Sequence, residues 1–221
     1  MLCFPIPRVE AGPGSYDWRV KPPVPRRLGL FGGTFDPPHL GHLALARAVR
    51  DRLELDEVRF VVAHDPWQKS GSRSITPAAV RVEMVSALID SEPGLAVDTR
   101  EIDRGGPTYT VDTLESIRLE MPGTDLYLIV GADTASGIHT WVRPDDVLAL
   151  SSLVVVNRGT QTADLPPLAD AARVVHVSMD PVDASSTRIR AAVVSGVDVS
   201  EWTGPSVARV IATHRLYGAA R

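Results

Sequence analysis

Two histidines three positions apart, His39 and His42, close the run Gly32-Gly33-Thr34-Phe35-Asp36-Pro37-Pro38-His39-Leu40-Gly41-His42, whose residue types suit a bound phosphate. Adjacent glycines let backbone approach a ligand, a helix start offers unpaired N–H groups, and imidazoles add side-chain donors. Gly41 keeps a side chain out of the space between the two rings. Either histidine alone would read as a helix cap; the whole string points to an anion. A second candidate is Ser185-Ser186-Thr187-Arg188-Ile189-Arg190. Hydroxyls at a helix start cap backbone N–H groups and meet phosphates, while arginines neutralise charge. The third is Glu101-Ile102-Asp103-Arg104-Gly105-Gly106-Pro107-Thr108-Tyr109-Thr110-Val111-Asp112-Thr113-Leu114. Thr110 stands ahead of a predicted helix, where a cap and backbone donors suit a carboxylate. Taken singly, the second is an ordinary capped helix and the third a glycine-rich hairpin running into one. No Ser/His/Asp spacing offers a nucleophile with its base.

These segments need elements to hold them. Apolar, β-branched runs predict strands over residues 27–31, 58–63, 95–102, 126–130, 153–157 and 174–177. Apolar residues at Leu43, Ala46, Val49 and Leu53, and again at Val80, Met84 and Leu88, fall at helical spacing. Helices are thus expected over 43–55 and from Thr76-Pro77, with Thr76 as cap and Pro77 as first residue. Others are expected over 111–119, 144–150, 186–195 and from Pro205 to about His214. Strands alternating with helices, without repeats or an internal linker, predict one α/β domain: Rossmann-like, doubly wound, with a mostly parallel sheet. In such sheets ligands sit beyond the carboxyl ends of the strands, where strand order reverses. Each candidate segment follows a predicted strand.

The chain has 221 residues, 44% hydrophobic and 23% charged, as in a soluble globular enzyme with a well-buried core. Lys and Arg number 23 against 27 acids, and the net charge of −4 gives no reason to expect a nucleic-acid partner. A locally positive pocket for a small anion remains compatible with that balance. Cys3 is the only cysteine, which excludes an intrachain disulfide and a cysteine-built zinc site and fits a reducing compartment. No run is long and apolar enough for a membrane helix, and Met1 to Pro7 lacks the features of a secretory signal. Residues 1–26 carry Pro5, Pro7, Pro13, Pro22, Pro23 and Pro25 without periodicity, so an extended or disordered tail is expected ahead of a domain over 27–221.

The run from Gly32 to His42 resembles the His-x-Gly-His signature of the nucleotidyltransferase superfamily, and in full is similar to its nicotinate-mononucleotide adenylyltransferase branch. The related pantetheine-phosphate adenylyltransferases usually carry threonine where His39 stands. The run from Ser185 to Arg190 is similar to the family's Ile-Ser-Ser-Thr-x-Ile-Arg element, which grips the ATP triphosphate; here Ala184 replaces the usual isoleucine. Residues 101–114 resemble the branch's Glu-x-x-Arg…Tyr-Thr-x-Asp-Thr-Leu element, which closes over the nicotinate ring. Pro66-Trp67-Gln68-Lys69 matches a Pro-x-x-Lys loop whose lysine meets phosphate. Gly131-Ala132-Asp133 resembles an adenosine-contacting turn, Trp141 sits where the family places an aromatic against the ring, and Arg158 resembles an arginine beside the nucleotide. The resemblance covers about residues 27–217.

It implies an enzyme that joins ATP to nicotinate mononucleotide, releasing pyrophosphate, in NAD biosynthesis in the cytoplasm. By implication His39, His42, Lys69 and Arg190 do the catalytic work. Gly32, Gly33, Thr34, Phe35, Gly131, Asp133, Arg158, Ser186 and Thr187 join the histidines and Arg190 around ATP, and Thr34, Lys69, Tyr109, Thr110 and Trp141 take the acceptor. Mg²⁺ would arrive with ATP, held by phosphates and water, so no protein ligand is named. Nicotinamide mononucleotide or pantetheine phosphate as acceptor, and a non-catalytic nucleotide-binding module on the same fold, are the alternatives. No membrane association is expected, and the sequence leaves a homo-oligomer open.

Overall fold

In a strand, successive side chains face opposite sides of the sheet, so a strand covered on both faces must be apolar at every position. Strand β1 (Arg27–Gly33) is built this way: Leu28 and Leu30 enter one hydrophobic cluster and Phe31 the other. The computed structural model describes residues 24–64, 74–158 and 173–218. After β1 come α1 (Leu40–Arg52), β2 (Glu57–Val62), α2 (Ala78–Leu88), β3 (Leu95–Asp98), α3 (Arg100–Arg104) and α4 (Thr110–Glu120). Then follow β4 (Asp125–Gly131), α5 (Ala132–Ser136), a 3-10 turn at Ile138–Thr140, α6 (Pro144–Leu150), β5 (Ser152–Arg158) and β6 (Val174–Met179). The described chain ends with α7 (Ser186–Val194), α8 (Ser200–Thr203), α9 (Pro205–Thr213) and a 3-10 turn at Leu216–Gly218.

The strands form one sheet in the order β3-β2-β1-β4-β5-β6, and every pairing is parallel. This is the doubly wound order, and the expected fold class stands. Val58, Phe60 and Val62 of β2, Ile129 of β4 and Val154 and Val156 of β5 pack with α1, α2, α7 and α9 on one face. Leu126, Leu128 and Val130 of β4 and Leu153 and Val155 of β5 pack with α4, α5 and α6 on the other. Chain order reverses between β1 and β4.

Three local expectations need correction. The strand drawn over 95–102 ends at Asp98, and a short helix follows. The Asp98 carboxylate accepts from the backbone N–H and the guanidinium of Arg100, folding the chain back on itself there. Second, α2 begins at Ala78 with Pro77 in the cap position; Thr76 instead gives its carbonyl to Arg81 and its N–H to the Asp36 carboxylate. Third, Thr110 is the first residue of α4 and Tyr109 holds the cap position, so Thr110 offers a first-turn N–H rather than a capping side chain. The helices α3, α5 and α8 were not anticipated; each is too short for periodicity to show.

Candidate active site

The β1–α1 connection is shaped by packing around two aromatic rings. A Cβ placed on Gly33 would stand 2.9 Å from the Phe35 ring, so only glycine leaves that ring its place. Phe35 in turn meets Phe31 and Phe60 at ring-centroid distances of 5.5 and 5.4 Å, anchoring the loop to the core. At the helix start, His39 occupies the cap position and is buried. A Cβ on Gly41 would come within 3.0 Å of its ring. The His39 and His42 rings are in contact, tilted by 34° with centroids 3.7 Å apart. The backbone N–H of His39 donates to Nδ1 of His42 at 3.2 Å. That bond selects the tautomer: a neutral His42 carries its proton on Nε2.

Helix α7 is pinned to this loop from the same face of the sheet that carries α1. Ser185 caps it by accepting from the Arg188 N–H at 3.3 Å. The Ser186 hydroxyl donates to the Pro37 carbonyl at 2.8 Å. What Ser186 offers an anion is therefore its first-turn N–H, alongside that of Thr187. Arg190 donates through Nη1 to the Asp36 carbonyl at 2.8 Å and through Nη2 to the Thr187 hydroxyl at 3.1 Å. One guanidinium thus ties α7 to the loop.

Two adjoining cavities open at the carboxyl ends of β1 and β4. The larger, about 690 Å³, is lined by Gly32, Gly33, Thr34, Phe35, His42, Gly131, Asp133, Ser186, Thr187 and Arg190, each expected at an ATP site. The smaller, about 270 Å³, is lined by Thr34, Tyr109, Thr110 and Trp141, the expected acceptor residues, with Glu101, Thr108 and Thr113. Gly32, Gly33, Thr34 and Thr134 border both. His39 does not line either; it stands behind His42 and shapes the helix start. Trp141 is held against the second core cluster, and the adjacent Arg143 bridges to Glu115 of α4 and Asp146 of α6 at 2.7 and 2.6 Å. Lys69 lies outside the described residues, as does the side chain of Arg158.

Arg81 lies outside every candidate segment of the sequence, and Asp36, Glu101 and Thr108 lie inside them without an individual role. Arg81, 1% exposed, donates to the carbonyls of Thr34, His64 and Thr76 at 3.0, 3.2 and 2.8 Å, joining the phosphate loop to the end of β2 and the approach to α2. Its helix position is an ordinary one, and only the fold shows what it meets. Asp36, 2% exposed, accepts from the Tyr217 hydroxyl at 2.6 Å. The buried Glu101 accepts from Thr113 at 2.7 Å, and burial raises its pKa above the ordinary value of 4.5, against the opposing pull of that bond and of Arg104. The Thr108 hydroxyl oxygen is buried beside the smaller cavity with no hydrogen-bond partner among the described residues.

The sequence and the doubly wound fold both have counterparts among known proteins. A family model described as cytidylyltransferase-like matches residues 30–192. A probable nicotinate-nucleotide adenylyltransferase of Corynebacterium kroppenstedtii is 39% identical over 194 residues, covering 86% of this chain and 90% of that protein. Another, of Laribacter hongkongensis, is 40% identical over 208 residues, covering 86% and 94%. The chain belongs to the nicotinate-nucleotide adenylyltransferase family, within the cytidylyltransferase-like group. Among solved structures, a nicotinic acid mononucleotide adenylyltransferase of Plasmodium falciparum complexed with NaAD superposes with a TM-score of 0.70, covering 88% of this chain and 98% of that one. At 17% identity that likeness speaks for the fold alone. Membership in the family makes the chain a nucleotidyltransferase enzyme rather than a non-catalytic module.

Proposed function

We infer that this protein transfers the adenylyl group of ATP to nicotinate mononucleotide, giving nicotinate adenine dinucleotide and pyrophosphate for NAD biosynthesis. One observation carries the site assignment: a cavity lined by phosphate-holding groups adjoins a cavity closed by Tyr109, Thr110 and Trp141, with Thr34 on the border of both. ATP in the first and the mononucleotide in the second would bring their phosphates together at the shared edge.

The 5′-phosphate of the acceptor attacks the α-phosphorus in line, the bond to the β-phosphate oxygen breaks, and pyrophosphate leaves. The attacking oxygen is already anionic at neutral pH, so no general base is needed, and positioning with charge stabilisation accounts for catalysis. His42 would donate from Nε2 to the α- and β-phosphates, with His39 setting its orientation from behind. The first-turn N–H groups of Ser186 and Thr187, with Arg190, would hold the β- and γ-phosphates. Lys69 and Arg158 take phosphate-contacting and nucleotide-contacting roles by their likeness to the family's motifs. Gly131 and Asp133 would face adenosine.

Mg²⁺ bound to ATP would neutralise charge building on the leaving pyrophosphate. Mg²⁺ keeps most of its waters and binds phosphate oxygens readily, so ATP itself would carry it into the site. Among the described residues no helix is long and apolar enough to cross a membrane. A single cysteine and ATP as substrate support the cytoplasm, and the net charge of −4 supports small-molecule partners rather than nucleic acid.

The first-turn N–H groups of α4, at the edge of the smaller cavity, would serve a carboxylate, whereas the amide of nicotinamide mononucleotide would turn an NH₂ donor toward donors. An unpaired buried polar group costs about 1–3 kcal/mol, so the acid should be preferred by roughly tenfold to a hundredfold. The test is kcat/KM for nicotinate mononucleotide, nicotinamide mononucleotide and pantetheine phosphate at saturating ATP and Mg²⁺. Equal use of acid and amide would remove the carboxylate pocket, and better use of pantetheine phosphate would remove the acceptor assignment.

A further inference from the structure

The carboxylate of Asp36 is buried beneath the phosphate loop, and its strongest described bond comes from the far end of the chain. Tyr217 donates its hydroxyl to Oδ1 at 2.6 Å across a separation of 181 residues. The Thr76 N–H approaches Oδ2 at 3.4 Å. On the same residue, the backbone carbonyl accepts from Nη1 of Arg190 at 2.8 Å. The phenol, the carboxylate and the guanidinium therefore form a short chain of contacts through one residue of the loop.

The backbone around Tyr217 is sharply bent where it makes that contact. Arg215, Tyr217 and Gly218 have φ of 48°, 59° and 78°. Such angles suit glycine but are disfavoured for residues with a Cβ, and an aromatic residue adopts one only where its surroundings over-determine it. Leu216 and Tyr217 both pack against the first core cluster, yet only Tyr217 reaches the loop with a polar atom. Burial first, then the bond to Asp36, pushes the phenol's pKa above its ordinary 10.0, so it stays a donor at any working pH.

We propose that Tyr217 is a positioning residue for adenylyl transfer, holding Arg190 in place through Asp36. This rests on the reading that Arg190 meets the triphosphate. With the hydroxyl present, Asp36 is fixed at both its side chain and its carbonyl, and that carbonyl holds the Arg190 guanidinium at one orientation. Without it, a buried carboxylate loses its closest described donor and shifts, taking the carbonyl that holds Arg190 with it.

The test is Tyr217→Phe, which keeps the ring and removes one oxygen, measured at a temperature where circular dichroism shows every variant folded. The expected result is a fall in kcat of roughly tenfold or more, since small misplacement of a transition-state group is costly in rate. KM for nicotinate mononucleotide should stay within about twofold, because the acceptor cavity is lined by other elements. Leu216→Ala loosens the same segment without touching Asp36; it should lower Tm while keeping kcat within about twofold. In an Arg190→Ala background the Tyr217→Phe change should cost nothing further, the non-additivity of residues acting as a unit. Tyr217→Phe turning over like the parent, Leu216→Ala losing as much kcat, or losses that multiply in the double variant would each overturn the proposal. An Arg190→Ala enzyme as fast as the parent would remove the Arg190 reading and this inference with it. A slow Arg190→Ala beside a normal Tyr217→Phe would remove the inference alone.

Discussion

His42 illustrates what one residue needs from its neighbours. It stands in the first turn of α1, its Nδ1 is occupied by the His39 N–H, and its ring is bounded by Phe31, Phe35 and His39 at centroid distances of 5.9, 5.2 and 3.7 Å. Tautomer and orientation are therefore set before any substrate arrives, which is the condition for strong stabilisation of developing charge. Replacing His42 with alanine should lower kcat by roughly a hundredfold, the usual loss for one preorganised donor. ATP binding should weaken far less, because Arg190 and the first turn of α7 remain. Single-turnover rates and ATP titrations on the variant separate the two quantities; turnover within a few-fold of the parent would make the histidine structural.

At the scale of elements, α3 and α4 meet through a buried carboxylate. Glu101 accepts from Thr113, and burial holds its pKa above the ordinary 4.5. A raised carboxyl pKa makes a contribution to stability that is complete below the unfolded-state value and is lost as pH rises through the folded-state value. At neutral pH and above, the ionised side chain is a liability. Glu101→Gln can accept the same bond from Thr113 without carrying a charge. The variant should melt a few degrees above the parent at pH 8, and the gap should narrow as pH falls toward 4.5. Thermal melts across that range check the sign; a variant less stable at every pH would show that Arg104 and Arg100 hold the carboxylate as an ion.

The whole molecule sets where the domain begins. The Pro25 carbonyl accepts from the Thr124 hydroxyl at 2.9 Å, the Arg26 N–H donates to Asp56 at 2.8 Å, and the Arg26 carbonyl accepts from the Asp125 N–H at 2.7 Å. Two residues ahead of β1 thus tie it to both neighbouring strands' approaches. We propose that the domain boundary lies just before them. Removing residues 1–23 should leave Tm and turnover near those of the full chain. Removing 1–26 should cost measurably more, because bonds to Thr124, Asp56 and Asp125 go with Pro25 and Arg26. Parallel melts and assays of the two truncations decide it; equal losses would mean that the earlier residues pack on the domain.

The sequence by itself determined the elements long enough to show a period and the segments whose types suit phosphate. The expected helix over 144–150 is α6 as it stands, and the run from Gly32 to His42 joins β1 to α1 as expected, although Gly32-Gly33 close the strand and Leu40-Gly41-His42 already open the helix. These follow from local chemistry: alternation, helical spacing, and glycine where a side chain has no room. What depends on distant residues was not legible. The strand drawn to Ile102 stops at Asp98, and Thr110 starts its helix rather than capping it, because side-chain bonds and packing decide those ends. Arg81 sits on a helix like any other arginine until the fold brings the Thr34, His64 and Thr76 carbonyls around it. Tyr217 and Asp36 are 181 residues apart and share no periodicity. Only the closing of a parallel sheet, with α7 and α9 brought to the face that carries α1, sets that phenol against that carboxylate.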